Sequence, residues 1–307
     1  MLLISGNVPG VNWSTVALAA CVMAVPVSAC NDGASTNDGK LKIAVAFYPI
    51  EEIVRRVGGT QVDITDLVPP GDEPHEFEPT AQEVTRLEDA DIVFYFGSDF
   101  QPSLEKAIDA LPDSVLRVDL LQAGMTLRTV DDGVDPHVWL DPRNMQSMTQ
   151  MVTQVLGQEV PEQASNFASN ATAYVDELAT LNDEFATGLA HCAVPVLITT
   201  HEAFGYLAKA FGLTQVGIAG ISPGDEPSAK QLEAIAELAT RNGVTTVFFE
   251  ENLPPDLATT VASEIGANVS SLGTAESLTQ SQLDAGESYL SLMRENLQAL
   301  RAGMGCA

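Results

Sequence analysis

The chain has 307 residues, 45% of them apolar, which is enough for a sizeable core and for two domains of ordinary size. It carries 42 acidic and 14 basic side chains, a formal net charge of −28 at pH 7. This balance argues against nucleic acid as a partner, because binding of phosphates needs a basic face. It also disfavours adhesion to anionic lipid through charge. An acidic surface suits solubility and attracts cations, although a salty habitat or an acidic proteome would account for it equally well.

The first thirty residues contain no charged side chain. The apolar run over 16–25 is too short for a membrane-spanning helix but has the length of a signal-peptide core. Small residues precede Cys30, as in the leaders of bacterial lipoproteins, so we expect a signal peptide over 1–30 with lipidation of Cys30. Ordinary cleavage after Ala29 is the alternative. Residues 31–40 are small and polar and predict a flexible tether, so the mature chain is expected at the cell surface or in the periplasm.

The first part of the mature chain alternates short apolar runs with amphipathic ones. Thr80 and Glu83 have capping-box spacing and predict a helix start. In chain order, the pattern predicts strands over 41–47, 62–68, 91–96 and 114–119, and helices over 49–59, 80–88 and 102–110. Alternation of this kind predicts an α/β fold with a parallel sheet covered by helices.

The alternation stops between residues 143 and 190, where no convincing strand is found. Pro161 suits the first turn of a helix. Apolar residues recur beyond it at roughly helical spacing: Phe167, Tyr174, Leu178, Leu181, Phe185 and Leu189. We therefore predict one long helix over 161–190, preceded by a shorter one.

A second α/β pattern follows. It predicts strands over 194–200, 214–220, 244–250 and 267–272, and helices over 202–211, 228–241, 254–265 and 284–301. The domain boundaries expected from this are an N-terminal α/β domain over 41–142, a helical connector over 143–191 and a C-terminal α/β domain over 192–307.

Three of the four histidines stand out: His75, His137 and His201 each follow a predicted strand or its exit loop, 62 and 64 residues apart. The fourth, His191, has plain surroundings. Imidazole is the commonest ligand for zinc and similar ions. Acidic residues flank His75 and His137, and such carboxylates can hold the second ring nitrogen of a metal-bound histidine. The sequence therefore predicts a metal ion gripped in a cleft between two parts of the chain.

The histidine motifs, taken with other stretches in the same order, resemble the metal-specific solute-binding proteins of ABC transporters, the zinc/manganese group known as cluster A-I. The matching stretches are PHEFEPT (74–80), ADIVFYFG (90–97), DPHVWLDP (135–142), THEAFGYLAKAFGL (200–213), GISPGDEPSAKQL (220–232) and SYLSLMRENL (288–297). The resemblance covers roughly residues 41–303. It implies two similar domains joined by one long rigid helix, with the metal in the cleft. It also implies that His75 and His137 are ligands from the N-terminal domain and His201 a ligand from the C-terminal domain.

The resemblance further implies what the chain carries and to which partner. In manganese-type members a carboxylate usually takes the third position, so His201 favours Zn2+ over Mn2+. We expect a monomeric, non-enzymatic protein that delivers zinc to the membrane subunit of an ABC metal permease. A manganese-binding homologue stays open, as do a zinc hydrolase, for which no serine or cysteine nucleophile motif is found, and an adhesin lipoprotein. The segment 127–135 is short and has no histidine, unlike the His-rich loop of many zinc-type members.

The resemblance implies an aspartate as fourth ligand, but an ungapped alignment of 266–278 puts Gly273 there. We therefore expect a water molecule as fourth donor, with Glu276 as the alternative. Glu250, at a strand end, is a candidate to support a ligand from behind, or else a plain surface carboxylate.

The cysteines suggest one covalent link. If Cys30 is lipidated and Cys21 is removed with the leader, Cys192 and Cys306 remain. Outside the cytoplasm two such residues often pair, so we expect a disulfide between them. Two buried free thiols are the alternative.

Overall fold

The computed structural model describes Gly10 and residues 39–130, 133–251 and 253–307. Apart from Gly10, the predicted leader, lipidation at Cys30 and all but the last two residues of the predicted tether lie outside the described residues. In the described part of the chain, no helix is both long enough and apolar enough to cross a bilayer.

The first part of the fold is a four-stranded parallel sheet with strand order β2-β1-β3-β4. Its elements are β1 (Leu41–Val45), α1 (Tyr48–Gly58), β2 (Val62–Asp66), α2 (Ala81–Glu88), β3 (Ile92–Tyr95), α3 (Pro102–Asp109) and β4 (Leu116–Asp119). Helix α1 forms because its apolar residues Ile50, Ile53, Val54 and Val57 repeat at helical spacing, and all four are fully buried. The predicted capping box of α2 is present in full, with Thr80 and Glu83 satisfying each other's backbone N–H groups.

A helical stretch follows a short antiparallel hairpin that the sequence analysis did not predict. The elements are β5 (Thr129–Val130), β6 (Gly133–Val134), α4 (Pro142–Glu159) and α5 (Ala164–Gly188). Helix α5 has 25 residues and is therefore about 37 Å long. Pro161 lies in a 3-10 turn, Pro161–Gln163, before α5 rather than in the first turn of that helix.

The last part repeats the topology of the first. Its elements are β7 (Val196–Thr199), α6 (Gly205–Ala210), β8 (Thr214–Gly217), α7 (Ala229–Arg241), β9 (Thr246–Glu250), α8 (Asp256–Ile265), β10 (Asn268–Leu272), α9 (Gln280–Asp284) and α10 (Tyr289–Met304). The order β10-β9-β7-β8 is again all parallel and is the same arrangement as in the first sheet, the first strand lying between the second and the third. The fold class predicted from the sequence, two similar α/β units with a long helix between them, is confirmed.

The end of the chain departs from the sequence prediction of one helix over 284–301. Thr279 caps the short helix α9, Gly286 has a φ of 80°, and Ser288 caps α10 anew. A left-handed glycine favours a break in the helix, so the predicted helix begins at Tyr289 rather than at 284, and the short helix α9 before it was not predicted.

The second sheet packs on both faces. Leu197 of β7 belongs to the larger apolar core, which also holds the first sheet, α4, α5 and α10, while Val196 and Ile198 belong to a smaller core under α7 and α8. Alternating strand residues point to opposite faces, so the helices on one face tie the second sheet to the rest of the fold. Cys192 and Cys306 are joined by a disulfide that links the end of α10 to the segment before β7.

Candidate metal centre

Four side chains from four separate segments meet between the two sheets. His75 lies in the loop after β2, His137 follows β6, His201 follows β7 and Glu276 follows β10. Loops at the carboxyl ends of parallel strands are the usual place for ligands in open α/β sheets. Three of the four segments leave such a strand end, which explains how residues up to two hundred positions apart come together.

The four donor atoms lie within 4.8 Å of one another, and five of their six separations are close to those of a tetrahedral metal site. Nε2 of His137 is 3.2 Å from Nε2 of His75 and 3.3 Å from Nε2 of His201. Oε1 of Glu276 lies 3.3 Å from His137 Nε2, 3.7 Å from His75 Nε2 and 3.8 Å from His201 Nε2. With zinc–donor bonds of about 2.0–2.1 Å, neighbouring donors of a tetrahedron lie about 3.3 Å apart. A single ion between these atoms would therefore contact all four.

Two of the imidazoles are held by carboxylates on their far side. Nδ1 of His137 lies 2.9 Å from Oδ1 of Asp135, and Nδ1 of His201 contacts Oε1 of Glu250. Because each carboxylate accepts a hydrogen bond from Nδ1–H, the neutral ring keeps its lone pair on Nε2. Two such lone pairs facing each other across 3.3 Å repel, and either a proton on one of the rings or a bound metal cation removes this repulsion.

The site is closed to solvent on most sides. His137 and His201 are fully buried, Glu276 is 4% exposed, and the His75 side chain is 7% exposed. A cavity of about 40 Å³ borders Glu276, and carboxylates contribute much of its lining: Asp72, Glu73, Glu250, Glu251 and Glu276. Further acidic groups therefore line the cavity beside Glu276, and they attract cations.

The charges in the site shift two ionisation equilibria. Burial alone lowers the pKa of His137, but the hydrogen bonds to Asp135 and Glu276 and their negative charges outweigh it and raise this pKa to about 9. Burial raises the pKa of Glu276, but its contacts with His137 and His75 prevail and hold it well below the usual range. In the metal-free site Glu276 is therefore anionic and His137 favours the protonated form.

Glu276 occupies the place where the sequence analysis expected a water molecule. Ala275 has a φ of 56°, and this left-handed turn after β10 directs the next side chain into the cleft. Gly273, the position picked out by ungapped alignment, faces helix α10 instead. Its N–H and C=O pair with the Asn296 side chain at 2.8 and 2.7 Å, and a Cβ there would come within 2.8 Å of Leu292. A carboxylate at Gly273 would displace Leu292 rather than reach the donors.

Further contacts tie the ligand-bearing segments to one another. Trp139 Nε1 donates to the carbonyl of Thr274 at 2.7 Å, which joins the His137 segment to the Glu276 turn. The backbone N–H of Gly71 donates to Ser277 Oγ at 2.7 Å, which joins the His75 loop to the same turn. Trp139 and Ser277 were not predicted in this role from the sequence, since neither carries a metal-ligand pattern of its own.

Comparison with known proteins places the chain in a family. Residues 43–303 match the family model described as zinc-uptake complex component A, periplasmic. The zinc-binding lipoprotein AdcA of Streptococcus pneumoniae R6 is 34% identical over 299 residues, which cover 92% of this chain and 60% of AdcA. The chain thus spans about 60% of the length of that relative. The high-affinity zinc uptake system protein ZnuA of Bacillus subtilis is 32% identical, with 94% of this chain and 97% of that protein covered.

Solved structures show the same relationship. The zinc-bound ZnuA-like domain of Streptococcus pneumoniae AdcA has a TM-score of 0.77 and 36% identity over 87% of this chain and 99% of that one. The laminin-binding protein Lmb of Streptococcus agalactiae, described as an adhesin with metal-transporting activity, has a TM-score of 0.80 and 30% identity over 86% of this chain and 99% of that one. On the extent of the family match and on these relatives, the chain belongs to the periplasmic A-component family of zinc-uptake complexes.

Proposed function

We propose that this chain is an extracytoplasmic solute-binding protein that captures one zinc ion and delivers it to an ABC-type membrane importer. The observation that carries the proposal is the convergence of three Nε2 atoms and one carboxylate oxygen at the spacing of a tetrahedral site. Family membership supports the same function, since two of the similar proteins are described as a zinc-binding lipoprotein and a zinc uptake protein.

The proposed ligands are His75, His137, His201 and Glu276, with Asp135 and Glu250 holding two of the imidazoles from behind. A donor set of three nitrogens and one carboxylate oxygen favours zinc, whereas manganese favours more oxygen ligands and a larger coordination number. Zinc enzymes keep one coordination position open for water or substrate. Four protein donors around one ion leave no such position, so the arrangement favours carriage of the metal over catalysis.

The proposal includes the remaining sequence predictions on location and partners. The chain is exported, cut at the end of its leader and lipid-anchored through Cys30. It acts as a monomer that presents the metal to the membrane subunit of the permease. The two halves of the fold act as domains over 41–142 and 192–307, with 143–191 as the connector.

Metal analysis and titration test the function. Protein purified without added metal is analysed for bound elements, stripped, and titrated with zinc and with manganese by calorimetry. We expect one zinc per chain and much weaker manganese binding. His137→Ala should abolish tight binding, whereas the exposed His191→Ala, the matched control, should bind as wild type does.

Uptake in cells separates delivery from mere binding. A strain that lacks the gene should grow poorly when zinc is chelated, and the wild-type gene but not the His137→Ala gene should restore growth. Preference for manganese in the titration, or full restoration by the His137→Ala gene, would contradict the proposal.

A further inference from the structure

Arg128 contacts both halves of the metal cleft. It lies directly before β5, in the segment that leads to His137, and its side chain is 22% exposed. One guanidinium nitrogen, Nη1, pairs with Asp135, and the other, Nη2, lies 3.7 Å from Oε1 of Glu202. Asp135 precedes His137 by two residues, and Glu202 directly follows His201. The guanidinium of Arg128 therefore contacts a carboxylate close in sequence to His137 and another close in sequence to His201.

On the His137 side, Arg128 fixes the carboxylate that orients the ring. The backbone N–H of Asp135 donates to the carbonyl of Arg128 at 3.0 Å, and the carboxylate of Asp135 forms an ion pair with the guanidinium of Arg128. Asp135 is fully buried and contacts Nδ1 of His137 at 2.9 Å. A buried carboxylate needs a partner charge to keep its place, and Arg128 supplies it together with the imidazole.

On the His201 side, Arg128 packs against the first two residues of helix α6, Gly205 and Tyr206. The hydroxyl of Tyr206 accepts from the backbone N–H of Arg128 at 2.8 Å and donates to the carbonyl of Asp135 at 3.0 Å. The guanidinium carbon lies 5.6 Å from the centre of the Tyr206 ring. A Cβ on Gly205 would lie 1.2 Å from Nη1 of Arg128, so the guanidinium fills the space that any larger residue at 205 would need.

We infer that Arg128 is a positioning residue that locks the His137 segment to the His201 segment and thereby slows release of the metal. The inference rests on the proposed function. A metal held by ligands from both segments leaves only when they separate. Arg128 holds the two segments together, because its contacts to Asp135, Gly205 and Tyr206 span both. Loss of such a contact speeds dissociation more than it slows association.

Two variants remove the lock in different ways. Arg128→Ala removes the guanidinium, and Gly205→Ala leaves Arg128 intact but places a methyl group where Nη1 lies. The zinc-loaded protein is mixed with excess chelator and the dissociation rate is followed by stopped flow. We expect each variant to release zinc about 10- to 100-fold faster, the range typical when a support of a metal ligand is lost, with a nearly unchanged association rate.

The matched control is Arg294→Ala. Arg294 makes a paired contact with Glu184 at 2.8 and 3.2 Å between α10 and α5, an arginine–carboxylate pair away from the metal donors. We expect this variant to release zinc at the wild-type rate. A merely structural role for Arg128 would lower the thermal midpoint of the metal-free protein, as loss of any pair can, without changing the dissociation rate of the folded fraction.

The double variant tests whether the two changes act through one contact. In the Arg128→Ala background the methyl group of Gly205→Ala has nothing to displace, so it should add no further acceleration. Equal acceleration by Gly205→Ala in both backgrounds, or wild-type dissociation from Arg128→Ala, would overturn the inference while leaving the proposed function intact. A wild-type chain that binds no zinc would overturn both.

Discussion

At the scale of single residues, the site depends on which atom of each ring carries the lone pair. Asp135 and Glu250 engage Nδ1 of His137 and His201, so both Nε2 atoms point at the same small volume. Glu276 adds an oxygen 3.3 Å from His137 Nε2 and supplies the only anionic donor of the four. In the proposed site it would partly compensate the double charge of a bound zinc, which three imidazoles alone would leave uncompensated.

Glu276→Gln tests the role of this anionic oxygen. The amide keeps the size of the side chain but removes its charge, so we expect zinc affinity to fall by about 100-fold or more, at or beyond the upper end of the loss typical for residues that only support a ligand. Competition with a fluorescent zinc chelator measures the affinity. Glu233→Gln, at an exposed position on α7, is the control and should bind normally. If Glu276→Gln binds zinc with wild-type affinity, the fourth donor is a water molecule rather than Glu276.

Zinc binding should also release a proton near neutral pH. With an ordinary imidazole pKa, zinc affinity would fall only below about pH 6.5. The pKa of His137 is raised to about 9 in the metal-free site, so below pH 9 the incoming ion must displace a proton. Affinity should therefore decrease steadily as the pH falls from 9 to 7. Calorimetry at pH 7.5 in buffers of different ionisation enthalpy should report close to one proton released per zinc, and release of none would show that His137 is already neutral.

The residue-level site could be read in part from the sequence. Histidines that follow predicted strands, with acidic neighbours, are enough to nominate His75, His137 and His201, and the end of β9 is enough to nominate Glu250 as a supporting residue. The position of Glu276 depends on one left-handed residue, Ala275, and no local pattern signals a positive φ at an alanine. Arg128 was missed for a similar reason, because its partners Gly205 and Tyr206 adjoin it only in the folded chain.

At the scale of elements, the strongest local signals were the most reliable. The predicted capping box at Thr80 begins α2, and a second box at Ser228 begins α7, the helix predicted over 228–241; both partners of each box lie within four residues of one another. The hairpin of β5 and β6 escaped prediction, because strands of two residues have no periodicity to detect. Strand ends were overestimated by one to three residues where apolar runs continue past the last ladder hydrogen bond, as at 194–200 against Val196–Thr199.

The disulfide should stabilise the second half of the fold. Cys192 and Cys306 are 114 residues apart, and for a loop of this length the chain-entropy model gives about 4–5 kcal/mol, an upper figure. The Cys192→Ser/Cys306→Ser variant should therefore unfold at a clearly lower temperature than wild type under oxidising conditions. Added reductant should lower the unfolding temperature of the wild type to that of the variant and leave the unfolding temperature of the variant unchanged. Two free thiols in exported protein, found by mass spectrometry, would contradict the pairing.

At the scale of the whole molecule, two copies of one sheet topology face a shared cleft with their strand ends. Helix α5 lies along the fold as one uninterrupted element of 25 residues and packs against α1, α4 and α10. An intact helix packed in this way resists bending, unlike a pair of flexible strands that can serve as a hinge. The sequence predicted this arrangement because the stretch without strands is long and its apolar residues keep one helical face.

Small-angle scattering measures how far the molecule closes. Because α5 is continuous, we expect metal-free and zinc-bound protein to give nearly superimposable curves, with only a slight decrease in radius of gyration. Zinc should nevertheless raise the thermal midpoint, since a ligand that binds only the folded state stabilises it by mass action. A change in the scattering curve as large as a wide hinge closure produces would show that α5 bends or that its contacts rearrange.

X-ray absorption at the zinc K edge of the loaded wild-type protein tests the central claim most directly. The account predicts four nitrogen or oxygen donors at about 2.0 Å, with the outer-shell scattering of three imidazole rings and no sulfur. The spectrum of zinc-loaded His201→Ala should show one imidazole fewer than that of the wild type, and the spectrum of Glu276→Gln should show all three. A six-oxygen shell, a sulfur donor or fewer than three imidazoles in the wild-type spectrum would contradict the assignment of His75, His137, His201 and Glu276 as the metal site.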